Sequence, residues 1–304
     1  MNYTSIFEKI FKELEKTPAT GKVADYIPEL AKVDPEKFGV HLTTIDGQHA
    51  SFGDSNEKFS IQSIAKVLSL TLAYKWEDEK LWHRVGVEPS GTPFNSLLQL
   101  EHEKGIPRNP MINSGALVVC DILTSHMENP KEEFLHFVRK VSGNASLQYS
   151  STIAESEKTM SYINTALINL MKYFNNINND IDEVMDFYFN LCSIEMTCKE
   201  LAHTFLYLAN YGVNPYSKER IITASKTKRI NAIMQLCGFY DQAGDFSFKI
   251  GLPGKSGVGG GIVAVHPGKY ALSVWSPRLN TNGNSNLGMK FLERFTTETE
   301  YSIF

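Results

Sequence analysis

Strand signals sit at the two ends of this chain and helix signals fill its middle, and that segregation limits the folds available. Phe38 to Ile45 partly alternates apolar and polar residues, and QHASFGD follows Asp46-Gly47. Asp-Gly between two strand-like runs predicts an antiparallel hairpin. Near the other end, Phe246 to Gly251 (FSFKIG) alternates, Ile262 to Val265 is an apolar run, and Tyr270 to Pro277 follows the turn His266-Pro267-Gly268-Lys269. All three read as strands. Between them, helical periodicity predicts helices from Asn113 or Ser114, over Pro130–Val141, Ile153–Phe174, Ile181–Cys192, Thr197–Tyr211 and Thr223–Cys237. Thr197-Cys198-Lys199-Glu200 is a capping box, and Gly212 and Gly238 are stop signals. Asn284 to Phe295 reads as a closing helix. The expected fold is α/β of the α+β type, with one antiparallel sheet built from both chain ends and an inserted helical lobe. The expected domain is single, residues 1–304, with a sheet lobe of about 1–60 plus 240–304 and a helical lobe of about 61–239.

The first residues, MNYTSIFEKIFKELEK, carry Ile6, Phe7, Ile10, Phe11 and Leu14 at helical spacing. They lack a basic n-region and a small-residue cleavage site, so they read as a packed amphipathic helix rather than a signal peptide. Thr17-Pro18 and Thr20-Gly21 mark a break after it. The net charge of −4, with both signs interspersed, gives no footprint for nucleic acid or an anionic membrane. Cys120, Cys192, Cys198 and Cys237 form no C-x-x-C and lie in apolar surroundings. They read as reduced, buried thiols, and the expected location is cytoplasmic. The histidines form no H-E-x-x-H, so no metal is expected. From Trp76 to Pro110, through Val87-Glu88-Pro89-Ser90-Gly91-Thr92-Pro93, the chain is loop-rich, as functional surface often is.

Chemistry centres on SIQSIAKVLSLTL, Ser60 to Leu72. Ser63 and Lys66 form a Ser-x-x-Lys, which puts a hydroxyl and an amine about one turn apart at the start of a helix. The residues that follow are apolar on nearly every side, as in a helix buried at the centre of a domain. Ser55–Lys58 and Ser225–Lys228 repeat the spacing without opening an apolar helix, and they read as surface. Lys255-Ser256-Gly257, at the start of a strand, recurs in enzymes that carry Ser-x-x-Lys. Its glycines let a substrate backbone or carbonyl approach closely, a free N–H there completes an oxyanion hole, and the Lys supplies charge. On the helical lobe, Tyr162-Ile163-Asn164 is a Y-x-N. Glu157 lies seven residues before Asn164, hence on the same face of one helix, and the pair suits the amino and carboxylate groups of an amino acid.

With these motifs in place, nearly the whole chain resembles the serine-dependent glutaminase family in its short bacterial form. The resemblance is carried by GKVADYIPELA, the Ser63–Lys66 helix, VEPSGTPFNS, NPMINSGA, the Glu157 to Asn164 segment, YFNLCSIEMTCKELA and CGFYDQAGDFSFKIGLPGKSGVGGG. It implies a β-lactamase/transpeptidase-like fold, hydrolysis of L-glutamine to L-glutamate and ammonia, no cofactor, and a homodimer or homotetramer. By position it makes Ser63 the nucleophile and Lys66 its base, with Tyr26 and Tyr240 as active-site tyrosines. It places Asn113, Glu157, Asn164, Tyr188, Tyr240 and the backbone at Val258 around the substrate. Two rivals share the fold: a serine β-lactamase or peptidase, and a non-catalytic amino-acid-binding member.

Overall fold

The computed structural model describes residues 1–16, 18–90 and 96–304. Thr17 in the expected break, and residues 91–95 in the loop-rich stretch and in VEPSGTPFNS, lie outside the described residues.

Five strands form one antiparallel sheet: β1 (Gly39–Thr44), β2 (His49–Gly53), β5 (Gly254–Ser256), β6 (Gly261–His266) and β7 (Tyr270–Trp275), in the order β2-β1-β7-β6-β5. The join between the chain ends is the pairing of β1 with β7, Gly39 opposite Trp275 through Thr44 opposite Tyr270. Gly47 turns the β1–β2 hairpin with φ +91°, a conformation that glycine adopts without strain. A second, two-stranded ladder pairs β3 (Phe59–Ser60) with β4 (Glu195–Met196).

Both faces of the main sheet are covered, and the strands alternate between two cores. Val40, Leu42, Ile262, Ala264, Leu272 and Val274 pack in one core with α1 (Tyr3–Leu14) and α12 (Asn286–Thr299). There the Phe7 and Phe291 rings meet edge-on at 5.6 Å. Val263, Val265, Ala271 and Trp275 point the other way into the larger core. That core holds α2 (Ala65–Glu77), α4 (Asn113–His126), α5 (Pro130–Ser142), α8 (Ile181–Cys192), α9 (Cys198–Ala209) and α10 (Ala224–Cys237). α2 is buried at every position from Ala65 to Tyr74, so apolar residues are required all round it. α9 starts at the Thr197–Glu200 capping box and lies across the sheet.

Three expectations need correction. The predicted helix over Ile153–Phe174 is two helices, α6 (Ser151–Thr159) and α7 (Tyr162–Tyr173). Thr159 and Ser161 flank the break, where Met160 N–H and Ser161 N–H make single-turn bonds to Glu157 O and Lys158 O at 3.3 Å. Hydroxyl side chains compete for backbone groups and weaken a helix at such points. Phe246 to Gly251 is not a strand but the end of α11 (Ala243–Lys249). Phe246 is buried, stacked on Phe239 at 3.5 Å, and Ile250 is buried four residues on, while Phe248 between them is 88% exposed. Alternation over so few residues does not separate the two periods. The loop-rich stretch contains a 3-10 turn over Asp78–His83 and the short α3 (Leu97–His102).

Candidate active site

Ser63 sits in a 3-10 turn, Gln62–Ile64, that runs directly into α2, one step earlier than a helix start. Gln62, just before it, has φ +49°, a conformation that a non-glycine residue holds only when its surroundings fix it. Gln62 Nε2 donates to Ser60 Oγ at 2.9 Å, and Ser60 Oγ donates to the Cys192 carbonyl at 3.0 Å. These bonds anchor the turn to the end of α8. Only 8% of Ser63 is exposed, and that part faces a cavity of about 190 Å³.

The cavity is walled by Tyr26, Gln62, Ser63, Asn113, Glu157, Asn164, Tyr188, Tyr240 and Val258, with Ile27, Met160, Ile163 and Cys192. Every residue that the resemblance placed at the site is in that wall except Lys66, which lies fully buried behind it. Lys66 Nζ donates to Asn113 Oδ1 at 2.6 Å and to the Met111 carbonyl at 3.4 Å. Asn113 Nδ2 donates in turn to Asn164 Oδ1 at 2.9 Å, which links α2, α4 and α7. Asn113 is the first residue of α4 rather than its cap, so its amide is free to reach inward. Burial pulls the Lys66 ammonium down to about 8, against the opposing influence of Cys192 and Glu157.

Ser63 is hydrogen-bonded to the Tyr240 hydroxyl and, among the described residues, not to Lys66. Tyr240 also bonds Ser256. Ser256 Oγ donates to Asn284 Oδ1 at 2.6 Å, and Asn284 Nδ2 donates to Gln242 Oε1 at 2.8 Å. This network holds Tyr240 at φ +54°, another strained position. Burial raises the Tyr240 phenol to about 12, although its bond to Ser63 opposes the shift.

Lys255 departs from expectation. Its side chain is fully buried beneath the Tyr240 ring, 4.4 Å from the centroid, and donates to the Gly238 and Ser256 carbonyls. Burial and the nearby Lys66 push it well below its ordinary range, so the charge expected of it is disfavoured. The glycines beside it answer a packing need. A Cβ at Gly257 would lie 2.4 Å from Ile61 O, and one at Gly259 would lie 2.2 Å from Ser60 O. The β5–β6 turn therefore presses against the segment leading to Ser63, and the Val258 N–H finds no protein acceptor among the described residues.

Glu157 and Asn164 meet in the cavity from two helices, α6 and α7, not from one helical face. Burial raises the Glu157 carboxyl to about 7, against the pull of a Gln62 hydrogen bond and of Lys66. Its Oε1 is buried without a hydrogen-bond partner. A solvent-shielded acceptor left open costs free energy unless a ligand supplies the donor. Tyr188 is buried, with Lys66 Nζ 5.9 Å from its ring centroid, and Tyr26 lines the wall while half exposed. Tyr162 of the Y-x-N is 80% exposed and outside the cavity, so only the Asn of that motif takes part.

Sequence reasoning missed Gln62, Cys192 and Asn284. Only Gln62 carried a signal, its position next to Ser63. Among the described residues, the cavity wall holds one carboxylate and no histidine, and a cluster of three histidines, His41, His49 and His203, lies elsewhere.

The sequence profile of the family described as "Glutaminase" matches residues 21–304. A glutaminase of Saccharophagus degradans is 62% identical over 304 residues, covering 100% of this chain and 99% of the relative. One of Christiangramia forsetii is 56% identical over 100% of both chains. Among solved structures, a probable glutaminase, YbaS, superposes with a TM-score of 0.93 at 33% identity, over 99% of this chain and 97% of that one. The probable glutaminase of Bacillus subtilis gives 0.87 at 30% identity, over 99% and 96%. Mglu in its tris and glutamate form gives 0.93 at 29% identity, over 100% of this chain and 68% of that one. With a mixed α/β architecture, an antiparallel sheet drawn from both ends, and matches of this length, the chain belongs to the glutaminase family, amidohydrolases with a β-lactamase-like fold.

Proposed function

We propose that this glutaminase hydrolyses L-glutamine to L-glutamate and ammonia through an ester on Ser63. The observation that carries the reading is the unpartnered Glu157 oxygen in the same small cavity as Ser63, with Lys66 buried behind. Glu157 holds the substrate α-ammonium, and Asn113, Asn164 and Tyr188 surround its α-carboxylate. The side-chain carboxamide is then directed to Ser63. Lys66, neutral once deprotonated, is the base of the site. Tyr240, too weak an acid and too strong a conjugate base to stay ionised near neutral pH, relays the proton from Ser63 Oγ and delivers it to the leaving ammonia, with Tyr26 beside it. The N–H groups of Ser63 and Val258 stabilise the oxyanion. Water then cleaves the glutamyl ester, restores Ser63 and releases glutamate. Glutamate is also what the structurally similar Mglu was crystallised with.

The cavity, at about 190 Å³, is below the roughly 300–1,000 Å³ usual for drug-sized ligands. Its size and the exposure of Tyr162 count against a β-lactamase or peptidase. We further propose a single catalytic domain working as a homo-oligomer in the cytoplasm, without cofactor. Among the described residues, no helix is long and apolar enough to cross a membrane. Hydroxylamine tests the ester directly, since it competes with water for an acyl-enzyme. γ-Glutamyl hydroxamate should form from L-glutamine in proportion to added hydroxylamine, while L-asparagine gives neither hydroxamate nor ammonia at a comparable rate. Glutamine turnover without any hydroxamate would remove the ester intermediate.

A further inference from the structure

Three histidines converge outside the cavity that Ser63 faces. His41 on β1, His49 on β2 and His203 on α9 each offer a ring nitrogen within 4.8 Å of the others. Their ring centroids are 5.9–6.4 Å apart. Regular structure produces this convergence. In the β1–β2 ladder His41 lies opposite Ser51 and Thr43 lies opposite His49, so the two histidines are diagonal neighbours on one face. β1 alternates, with Val40 and Leu42 in the core beneath α1 and α12, which leaves His41 and Thr43 on the face that α9 crosses. α9 then brings His203 down onto that face. The position is at the β2 edge of the sheet, the opposite edge from β5 and the Lys255-Ser256-Gly257 strand.

We propose that His41, His49 and His203 form a binding site for a late first-row divalent metal ion of the Zn²⁺ type, which ties the β1–β2 edge to α9. Three imidazoles from separate elements are a borderline-soft donor set that suits zinc, copper or nickel rather than magnesium or calcium. Zn–N bonds of about 2.0–2.1 Å require the ring nitrogens to draw closer than they stand, and His49, exposed at the sheet edge, has the room to turn inward. Water completes the coordination on that exposed side. The recorded partners of the rings are hydroxyls, which donate or accept as needed. His41 Nδ1 bonds Ser51 Oγ at 2.7 Å, His41 Nε2 bonds Thr43 Oγ1 at 3.0 Å, and His203 Nε2 bonds the Tyr216 hydroxyl at 3.2 Å. A ring can therefore give one nitrogen to a metal while the other keeps a hydroxyl as its outer partner. Lys199, exposed on the first turn of α9, adds positive charge nearby and opposes the ion.

The site binds the folded chain only, so it stabilises by mass action and takes no part in amide hydrolysis. Calorimetric titration of the full chain without an affinity tag, using Zn²⁺, tests it, with Co²⁺ as an optical reporter. One Zn²⁺ per chain, a four-coordinate Co²⁺ spectrum and a Zn²⁺-dependent rise in Tm are expected. His49→Ala and His203→Ala each weaken uptake at least about tenfold and abolish the Tm rise, as outer-partner losses alone weaken metal sites by about 10–100-fold. Both variants keep glutamine turnover, which shows that they fold. Lys199→Gln tightens binding. No Zn²⁺ uptake by the parent chain at submillimolar concentration, or uptake unchanged in both histidine variants, overturns the proposal.

Discussion

At the scale of single residues, the proposed mechanism depends on two titrations that run in the same direction. Glu157 must be charged to hold an ammonium, and its carboxyl sits at about 7. Lys66 must be neutral to act as a base, and its amine sits at about 8. Both conditions improve as pH rises, so kcat/KM for glutamine should climb through pH 7 to 8. In Glu157→Gln the component near 7 should vanish from the profile, and KM should rise by about 10- to 100-fold, the worth of a charged hydrogen bond in a buried site. An unchanged KM would take Glu157 out of substrate binding. Stability moves the other way. A carboxyl raised from 4.5 to about 7 binds its proton more tightly in the folded state, so stability falls as pH rises between those values. Above pH 7 the same variant should gain on the order of 2 kcal/mol against denaturant, and below pH 4.5 it should gain nothing. The placement of Ser63 at the cavity, with Lys66 buried behind it, was legible because Ser-x-x-Lys leads into an apolar helix. The Ser63–Tyr240 bond and the burial of Lys255 were not, because both depend on partners brought from distant segments.

At the scale of elements, the cavity depends on two local features that the sequence hides. One is the break between α6 and α7, which brings Glu157 and Asn164 to the cavity from separate helices. Periodicity runs through the break, since Met160 and Ile163 continue the apolar pattern, and only the weak helix formers Thr159 and Ser161 hint at it. The other is the glycine turn before β6. Its composition announced a close approach, read as that of substrate, whereas what lies against Gly257 and Gly259 is the protein backbone at Ile61 and Ser60. Gly259→Ala puts a Cβ against the Ser60 carbonyl and must push the turn away from Ser63. It should cost on the order of 2 kcal/mol and lower kcat at least about tenfold at temperatures where the variant stays folded. Normal turnover in a folded variant would mean that the turn's position is unimportant.

At the scale of the whole molecule, the architecture was the most legible level. A hairpin signal near one end and a strand pair near the other dictated a shared antiparallel sheet, and β1 against β7 supplies it. The count of strands was less legible, since FSFKIG imitated one. The helical side is held by a buried polar anchor that pattern reading does not reveal. Asp121 on α4 is fully buried and accepts from Arg84 Nη2 at 2.5 Å, from the Asn179 N–H at 2.8 Å and from the Asn178 N–H at 3.0 Å. It fastens α4, which carries Asn113, to the segment before α8. Asp121→Ala leaves these donors and the Arg84 charge without their partner, and should cost about 3–5 kcal/mol in chemical denaturation. The central claim is that this fold exists to present Ser63 to glutamine. Ammonia release from L-glutamine by the parent chain and by Ser63→Ala tests it most directly. The parent should release ammonia and the variant should fall by about a thousandfold or more while keeping its fold. A folded Ser63→Ala variant with near-parental release would contradict the account.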